Sequence, residues 1–317
     1  MRCAVLDDYQ GVSTRFGDWS RLAGRVEPVP FTRPFASADE AAEALAGFEI
    51  VLAMRERTAF PASLLARLPD LKLLVTTGAH NAAIDVAAAQ ARGVVVCGTG
   101  GDKSTTCEIA WGLILNLTRR VCAEHARFRQ GLWQGPVGMS LHGRTLSVLG
   151  LGSIGGMVAQ VGRAFGMDVL AWSPNLTEGR AAEAGARLAP SLEALCREAD
   201  VLSVHLVLSD RSRGILGERE LRAMKRTAYL VNTSRAPLVD GAALLRALQE
   251  GWIAGAGLDV YEQEPPDCDD PLRRLPNVIG TPHIGYVADG NYRLYFEGAV
   301  EDIAAWLDNR PIRVIEP

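Results

Sequence analysis

The chain has 317 residues, 48% of them hydrophobic, with 33 basic and 37 acidic side chains and a net charge of −4. That length and apolar content suffice for two buried cores. No run of Lys or Arg forms a stripe able to neutralise a phosphate backbone, which excludes nucleic acid as an expected partner.

The N-terminal MRCAVLDDYQ holds two Asp where a signal peptide would need an apolar core, and no apolar segment approaches the roughly 18 residues of a membrane span. Six cysteines, Cys3, Cys97, Cys107, Cys122, Cys196 and Cys268, stand apart without a C-x-x-C pair. Such spacing predicts reduced, mostly buried thiols, no metal site and a reducing compartment. The expectation is a cytoplasmic protein with no membrane partner.

Short β-branched runs alternate with helical patterns along most of the chain. CAVLDD, EIVLAM, LKLLVTT and GVVVC form a first strand set that ends near Gly98. The segment from Asp102 to Trp133 is then expected to be the longest helix. A second set follows: TLSVLGLG, DVLAW, DVLSVHL, AYLVNTS, IAGAGLDV and NVIGTPH, ending at His283. Alternation of this kind predicts an α/β protein with parallel sheets covered by helices on both faces, and ten strands are too many for one modest sheet. YRLYFEGAVEDIAAWLDN reads as a closing amphipathic helix that either domain could carry.

LSVLGLGSIGG is a strand running into a glycine-rich turn. Gly150, Gly152 and Gly155 complete G-x-G-x-x-G: a tight turn, close backbone approach to a pyrophosphate, and close packing of helix on strand. The amides around Ser153 and Ile154 open the next helix, where its dipole favours an anion. By itself the pattern is common. The strand before it, the helix SIGGMVAQVGRAFG after it and the strand MDVLAWS complete a βαβ unit, which makes a dinucleotide the expected ligand. An acidic residue is then expected about 20 residues on, to hold the adenine ribose. AWSPN puts Ser173 there instead. Its uncharged hydroxyl removes the repulsion that an Asp would exert on a 2′-phosphate, while Arg180 is the nearest downstream cation, so either NAD or NADP is expected and the preference stays undecided.

Three ionisable residues fall at strand carboxyl ends, where open parallel sheets bind ligands: Arg235 after YLVNTS, Glu264 after GLDVYEQ and His283 closing NVIGTPH. Each alone has a plain structural reading, as a capping cation, a solvated loop charge or a packing histidine. Together they supply what reduction of an oxo acid requires. A guanidinium grips a carboxylate with two parallel hydrogen bonds, an imidazole delivers a proton near neutral pH, and a neighbouring carboxylate favours the charged imidazole.

GRTLSVLGLGSIG, LVNTSRAPLVD, GLDVYEQEPP and TPHIGY together resemble the NAD(P)-dependent D-isomer-specific 2-hydroxyacid dehydrogenases, among them phosphoglycerate dehydrogenases and hydroxypyruvate or glyoxylate reductases. The resemblance covers nearly the whole chain and keeps the order Arg235, Glu264, His283. It implies two Rossmann-like doubly wound domains separated by a cleft: a discontinuous substrate domain, 1–98 with 284–317, and an NAD(P)-binding domain, 99–283. It implies that Arg235 binds the substrate, that His283 is the acid and base and that Glu264 orients it. Asp259 and Thr233 fall on the cofactor side, and Asp259 would hold the nicotinamide carboxamide. TTGAHNAAID resembles the substrate loop, in which amides at Ala79 and His80 receive a carboxylate. MRERT resembles an Arg-Ser-Arg-Thr segment whose first Arg, here Arg55, reaches the far end of the substrate.

Two positions depart from the family pattern. Glu56 stands where Ser is usual and brings a negative charge that disfavours a phosphate-bearing substrate. Tyr286 follows His283 where a smaller residue is common, either narrowing the pocket or packing. The expected substrate is therefore a small, non-phosphorylated 2-oxo or 2-hydroxy acid, with a phosphoglycerate dehydrogenase or a corepressor-like dinucleotide sensor as alternatives. Glu264 argues against a formate dehydrogenase, since the resembling formate enzymes carry Gln there. The resemblance also implies a homodimer, for which Trp111 and Trp133 are candidate anchors if they are not core residues.

Overall fold

A computed structural model describes residues 1–317. The chain forms two compact units, Met1–Asp102 with Val287–Pro317, and Lys103–Tyr286.

The first unit is built on five parallel strands: β1 Arg2–Val5, β2 Glu27–Pro30, β3 Ile50–Ala53, β4 Leu73–Thr76 and β5 Val95–Gly98. They lie in the order β2-β1-β3-β4-β5. The tetrapeptides IVLA and LLVT of β3 and β4 are buried at every position, as strands covered on both faces require. The run EPVP was not among the expected strands; its two prolines are tolerated because β2 is an edge, where missing amide donors cost no ladder bond. The longest helix of the chain is Asp289–Leu307, which packs on β4 and β5 of this unit. Beyond it the tail turns back along β5, Gly98 N donating to Arg313 O at 3.0 Å and Ile315 N to Val96 O at 2.8 Å. These bonds cover an otherwise open edge. Arg313 anchors the tail by donating from Nε to Asp302 Oδ1 at 2.9 Å.

The second unit has seven parallel strands: β6 Thr145–Leu149, β7 Asp168–Trp172, β8 Arg187–Leu188, β9 Val201–Val204, β10 Tyr229–Asn232, β11 Gly255–Leu258 and β12 Val278–Gly280. Their order is β12-β11-β10-β9-β6-β7-β8, reversing between β9 and β6. Successive strand residues feed opposite cores: Leu149, Leu170, Leu202 and Leu230 pack on one face, Val148, Ala171, Val201 and Val231 on the other. This is the doubly wound α/β arrangement expected from the alternation of runs. β8 is two residues long and left no signal of its own.

The expected single helix from Asp102 to Trp133 is two helices. Ser104–Arg119 buries Cys107, Ala110, Trp111, Leu113, Ile114 and Leu117. Arg120 then adopts a left-handed conformation, φ 56°, and Val121–Arg129 buries no residue. The apolar stripe ends at Leu117, so nothing holds the second stretch on the same core. Trp111, 6% exposed, lies against Phe165 with ring centroids 5.0 Å apart. It is a core residue, not a surface anchor. Trp133 is 75% exposed.

No disulfide forms; Cys122 and Cys268 are exposed and the other four cysteines buried. No helix is long and apolar enough to cross a membrane.

Candidate active site

The reversal of strand order between β6 and β9 sets the glycine-rich turn at the carboxyl edge of the second sheet. Gly150 has φ 98°, and a Cβ there would lie 2.7 Å from the His205 carbonyl carbon. At Gly155 a Cβ would meet Gly150 O at 2.0 Å. The chain's own packing therefore enforces both glycines. At Gly152, by contrast, a Cβ would meet nothing within 4 Å. The open space lies at the N-cap of helix Ser153–Ala164, which no side chain caps. That combination fits a pyrophosphate approaching the backbone of Gly152, Ser153 and Ile154. Lys103 Nζ lies 3.5 Å from Ser153 Oγ and adds a positive charge at the turn. Beneath the turn, His205 Nε2 and Ser203 Oγ are 2.8 Å apart, and burial lowers the His205 pKa to about 4, so the ring is neutral.

Ser173 follows the last residue of β7 and is half-buried, its carbonyl accepting from Leu176 N at 3.1 Å. Thr233 follows β10; its Oγ1 is buried with no hydrogen-bond partner in the protein. Leaving a buried hydroxyl unpaired costs about 1–3 kcal/mol, which a ligand group would relieve. The residues present thus fit a bound dinucleotide.

Arg235, Glu264 and His283 follow β10, β11 and β12, three neighbouring strands. Arg235 is half-buried at the cap of the 3₁₀ turn Ala236–Leu238. Its Nη1 donates to Ser234 O at 2.8 Å, and its carbonyl accepts from Asn232 Nδ2 at 3.0 Å. His283 Nδ1 and Glu264 Oε2 are 2.6 Å apart. Tyr261 N donates to the other oxygen, Glu264 Oε1, at 2.9 Å. The carboxylate is thus oriented from both sides, and with Nδ1–H directed at it the imidazole turns Nε2 away from Glu264. His283 has φ 52°, unusual for a residue with a side chain and frequent at functional sites.

Asp259 braces the loop that carries His283. Its Oδ1 accepts from Thr281 Oγ1 at 2.6 Å and from Ile284 N at 2.8 Å, and Oδ2 accepts from Gly285 N at 2.8 Å. Burial pushes the Asp259 carboxyl above its ordinary range, against these three donors. A carboxylate offers about four acceptor sites, so one remains. Tyr286 is buried, with its ring edge-on to His283 at 5.7 Å. Lys103 and Tyr261 carried no sequence signal, since each acts through a contact that only the fold creates.

In the first unit, Arg55 follows β3 with φ 49°. Its Nη1 donates to Thr77 O at 3.1 Å, and Nη2 lies 3.5 Å from Glu56 Oε1. A Cβ on Gly78 would stand 1.8 Å from Arg55 Nη1, so glycine there leaves room for the guanidinium. Gly78 N donates to Thr99 Oγ1 at 2.9 Å and Asn81 Nδ2 to Arg55 O at 2.6 Å. These bonds fix the loop on both sides of Ala79 and His80, which are exposed.

Comparison with known proteins gives the family. Residues 111–285 match the family model of the D-isomer specific 2-hydroxyacid dehydrogenase NAD binding domain. The chain is 42% identical over 230 residues to a glyoxylate reductase of Aeropyrum pernix, covering 69% of this chain and 68% of that protein. It is 33% identical over 293 residues to a glycerate dehydrogenase of Methylorubrum extorquens, 88% of each. Its fold superposes on the crystal structure of a phosphoglycerate oxidoreductase from Vibrio cholerae O395 with a TM-score of 0.93 and 38% identity, covering 98% of this chain and 99% of that one. With a dinucleotide turn, a histidine–carboxylate pair and a matching family model on one chain, the protein belongs to the D-isomer specific 2-hydroxyacid dehydrogenases, NAD(P)-dependent oxidoreductases acting on the CH–OH group of 2-hydroxy acids.

Proposed function

We propose that this chain reduces a small, non-phosphorylated 2-oxo acid to its D-2-hydroxy acid, with His283, Glu264 and Arg235 as the reacting and binding groups. One observation carries the reading: the 2.6 Å contact of His283 with a Glu264 carboxylate that is itself fixed by Tyr261 N, after β12 and β11, the second of which neighbours the strand before Arg235. The nicotinamide, when bound, supplies a hydride to C2 or takes one back. His283 Nε2 gives the proton to the carbonyl oxygen in reduction and removes it in oxidation. Glu264 holds the imidazole in the right tautomer and balances its charge. Arg235 binds the substrate carboxylate and draws electron density from the carbonyl oxygen. Asp259 keeps one acceptor site for the carboxamide, and Thr233 a free hydroxyl. Gly150, Gly152, Ser153, Ile154 and Gly155 hold the pyrophosphate.

The division of labour between the units follows. The unit containing both chain ends takes the substrate, through the amides of Ala79 and His80 and through Arg55; the unit with the glycine-rich turn takes the cofactor. Glu56 beside Arg55 offsets the charge that a substrate phosphate would need, and this favours the glyoxylate and glycerate type of substrate named for two relatives over the phosphoglycerate of the Vibrio protein. Loss of reduced-cofactor absorbance with glyoxylate, hydroxypyruvate, pyruvate and 3-phosphohydroxypyruvate tests the reading, with turnover of an unphosphorylated acid as the expected result. A clear preference for the phosphorylated one overturns it.

Ser173 admits either cofactor. Ser173→Asp is expected to lower kcat/KM with NADPH about 10-fold or more beyond its effect with NADH, because a carboxylate repels a 2′-phosphate and accepts from a 2′-hydroxyl. Equal effects on both cofactors mean that the side chain faces elsewhere.

The protein acts in the cytoplasm as a homodimer. The unburied helix Val121–Arg129 and the segment after it expose Val121, Phe128, Leu132, Trp133 and Val137, apolar side chains of the kind a second copy covers. Sedimentation at micromolar concentration is expected to give a dimer for the native chain and mostly monomer for Trp133→Glu.

A further inference from the structure

Past helix Asp289–Leu307, residues 308–317 are exposed except Ile315, which is half-buried and packs on the apolar core of the first unit. Arg313 aims it there. With φ 51° the residue turns the chain, and its guanidinium donates to Asp302 Oδ1 at 2.9 Å, Gly298 O at 2.8 Å and Glu301 Oε2 at 3.1 Å, all on that helix. Asp302 is buried, so the pair anchors the tail through a carboxylate that would be costly to leave alone. Val314 then pairs antiparallel with Cys97 of β5.

The tail arrives at Gly98, the last residue of β5. A Cβ on Gly98 would stand 3.1 Å from Ile315 Cδ1, 2.8 Å from Gly78 O and 3.0 Å from Ala79 O, so the tail and the loop after β4 meet at one glycine with no room for a methyl group. The next residue holds the same loop: Thr99 N donates to Thr76 O at 3.0 Å, and Thr99 Oγ1 accepts from Gly78 N at 2.9 Å. In the plane of the sheet, β5 has β4 on one side and the tail on the other. The place of its last residues, and of the loop they carry, therefore depends on what the tail presses against them. One apolar side chain makes that contact, and in close packing the loss of a methyl or methylene is felt.

We propose that Ile315 is a positioning residue for substrate binding: packed against Gly98, it fixes the loop whose Ala79 and His80 amides receive the substrate carboxylate. The inference rests on the dehydrogenase reading above and on the part that reading gives to this loop. Amides that hold a carboxylate equally in the ground state and the transition state affect KM and leave kcat alone.

The experiment compares the native enzyme with Ile315→Ala, Ile315→Leu and a chain that ends at Val314. All three keep Arg313 on Asp302, so the buried charge stays paired. Two readouts are taken: steady-state kinetics with glyoxylate and hydroxypyruvate beside an NADH titration, and amide exchange of residues 76–81, where Thr99 shields the Gly78 amide. Ile315→Ala and the shortened chain are expected to raise KM about 5-fold, with kcat and NADH affinity within about 2-fold of native, and to speed exchange at Gly78. Ile315→Leu keeps carbon at the δ position and is expected to stay near native in both readouts. Unchanged exchange at Gly78 in both shortened side chain and shortened tail overturns the inference and leaves the dehydrogenase reading standing. Faster exchange with unchanged KM takes the substrate off this loop, and overturns the inference together with the loop's part in that reading. No turnover of either acid by the native enzyme overturns the reading itself and the inference with it.

Discussion

Replacing His283 by Gln is expected to lower turnover by about 10²- to 10⁴-fold while NADH binding stays within about 2-fold of native. Gln keeps much of the volume and can still hydrogen-bond to Glu264, whose position is fixed by Tyr261 N at 2.9 Å. It has no titratable proton, so the substitution isolates proton transfer from packing. Reduction needs a proton on the imidazole and oxidation needs a place for one, so the variant is expected to lose turnover in both directions. Stopped-flow or steady-state rates in both directions, with a fluorescence titration of NADH, check this. Near-native turnover in either direction assigns the proton to another group.

All ten apolar runs became strands; eight of them are central parallel strands, buried on both faces and so legible as unbroken apolar sequence, while β5 and β12 are edges that kept an apolar run. β2 and β8 were missed for the opposite reason: edge strands need neither a long apolar run nor every amide, and EPVP and RL have little of either. The helix break at Arg120 was hidden because VCAEHARFR remains helix-forming by propensity; what it lacks is a surface to lie on. Periodicity weighs one helix at a time and does not see where a core ends. Trp111 and Trp133 looked alike in sequence, and only packing separated the core residue from the exposed one.

At the site, the residues legible in the sequence were those whose chemistry is rare at a strand end: a cation, a carboxylate and an imidazole. Their supports were not legible. Tyr261 contributes a backbone amide to Glu264, which any residue other than proline could do, so its identity carries no signal. Lys103 reaches Ser153 across 50 positions of chain. Asp259 was expected on the cofactor side, yet most of its acceptor capacity goes to holding the Thr281–Gly285 loop and thus the backbone of His283.

Arg235→Lys is expected to cost about 10²- to 10³-fold in kcat/KM for every 2-oxo acid turned over, with NADH affinity within about 2-fold of native. The charge is preserved, so the loss measures geometry. A guanidinium presents paired N–H groups in one plane and can engage a carboxylate through two of them while another bonds the protein; here Nη1 already donates to Ser234 O at 2.8 Å, which holds the group in place. An ammonium has no such plane. To reach the same carboxylate it must give up the anchor or one of the two parallel bonds. Losing hydrogen bonds to a charged partner in a shielded site costs about 3–4 kcal/mol, which corresponds to that range of rates. The split between the kinetic constants is informative. A rise in KM alone means that Arg235 grips substrate and transition state equally, whereas a fall in kcat means that it also stabilises charge developing on the carbonyl oxygen. The second pattern is expected, because the same guanidinium is assigned to both oxygens of the reacting centre. Native-like kcat/KM in the Lys variant would move carboxylate binding to the Ala79–His80 amides and leave Arg235 as a cap of the turn it begins.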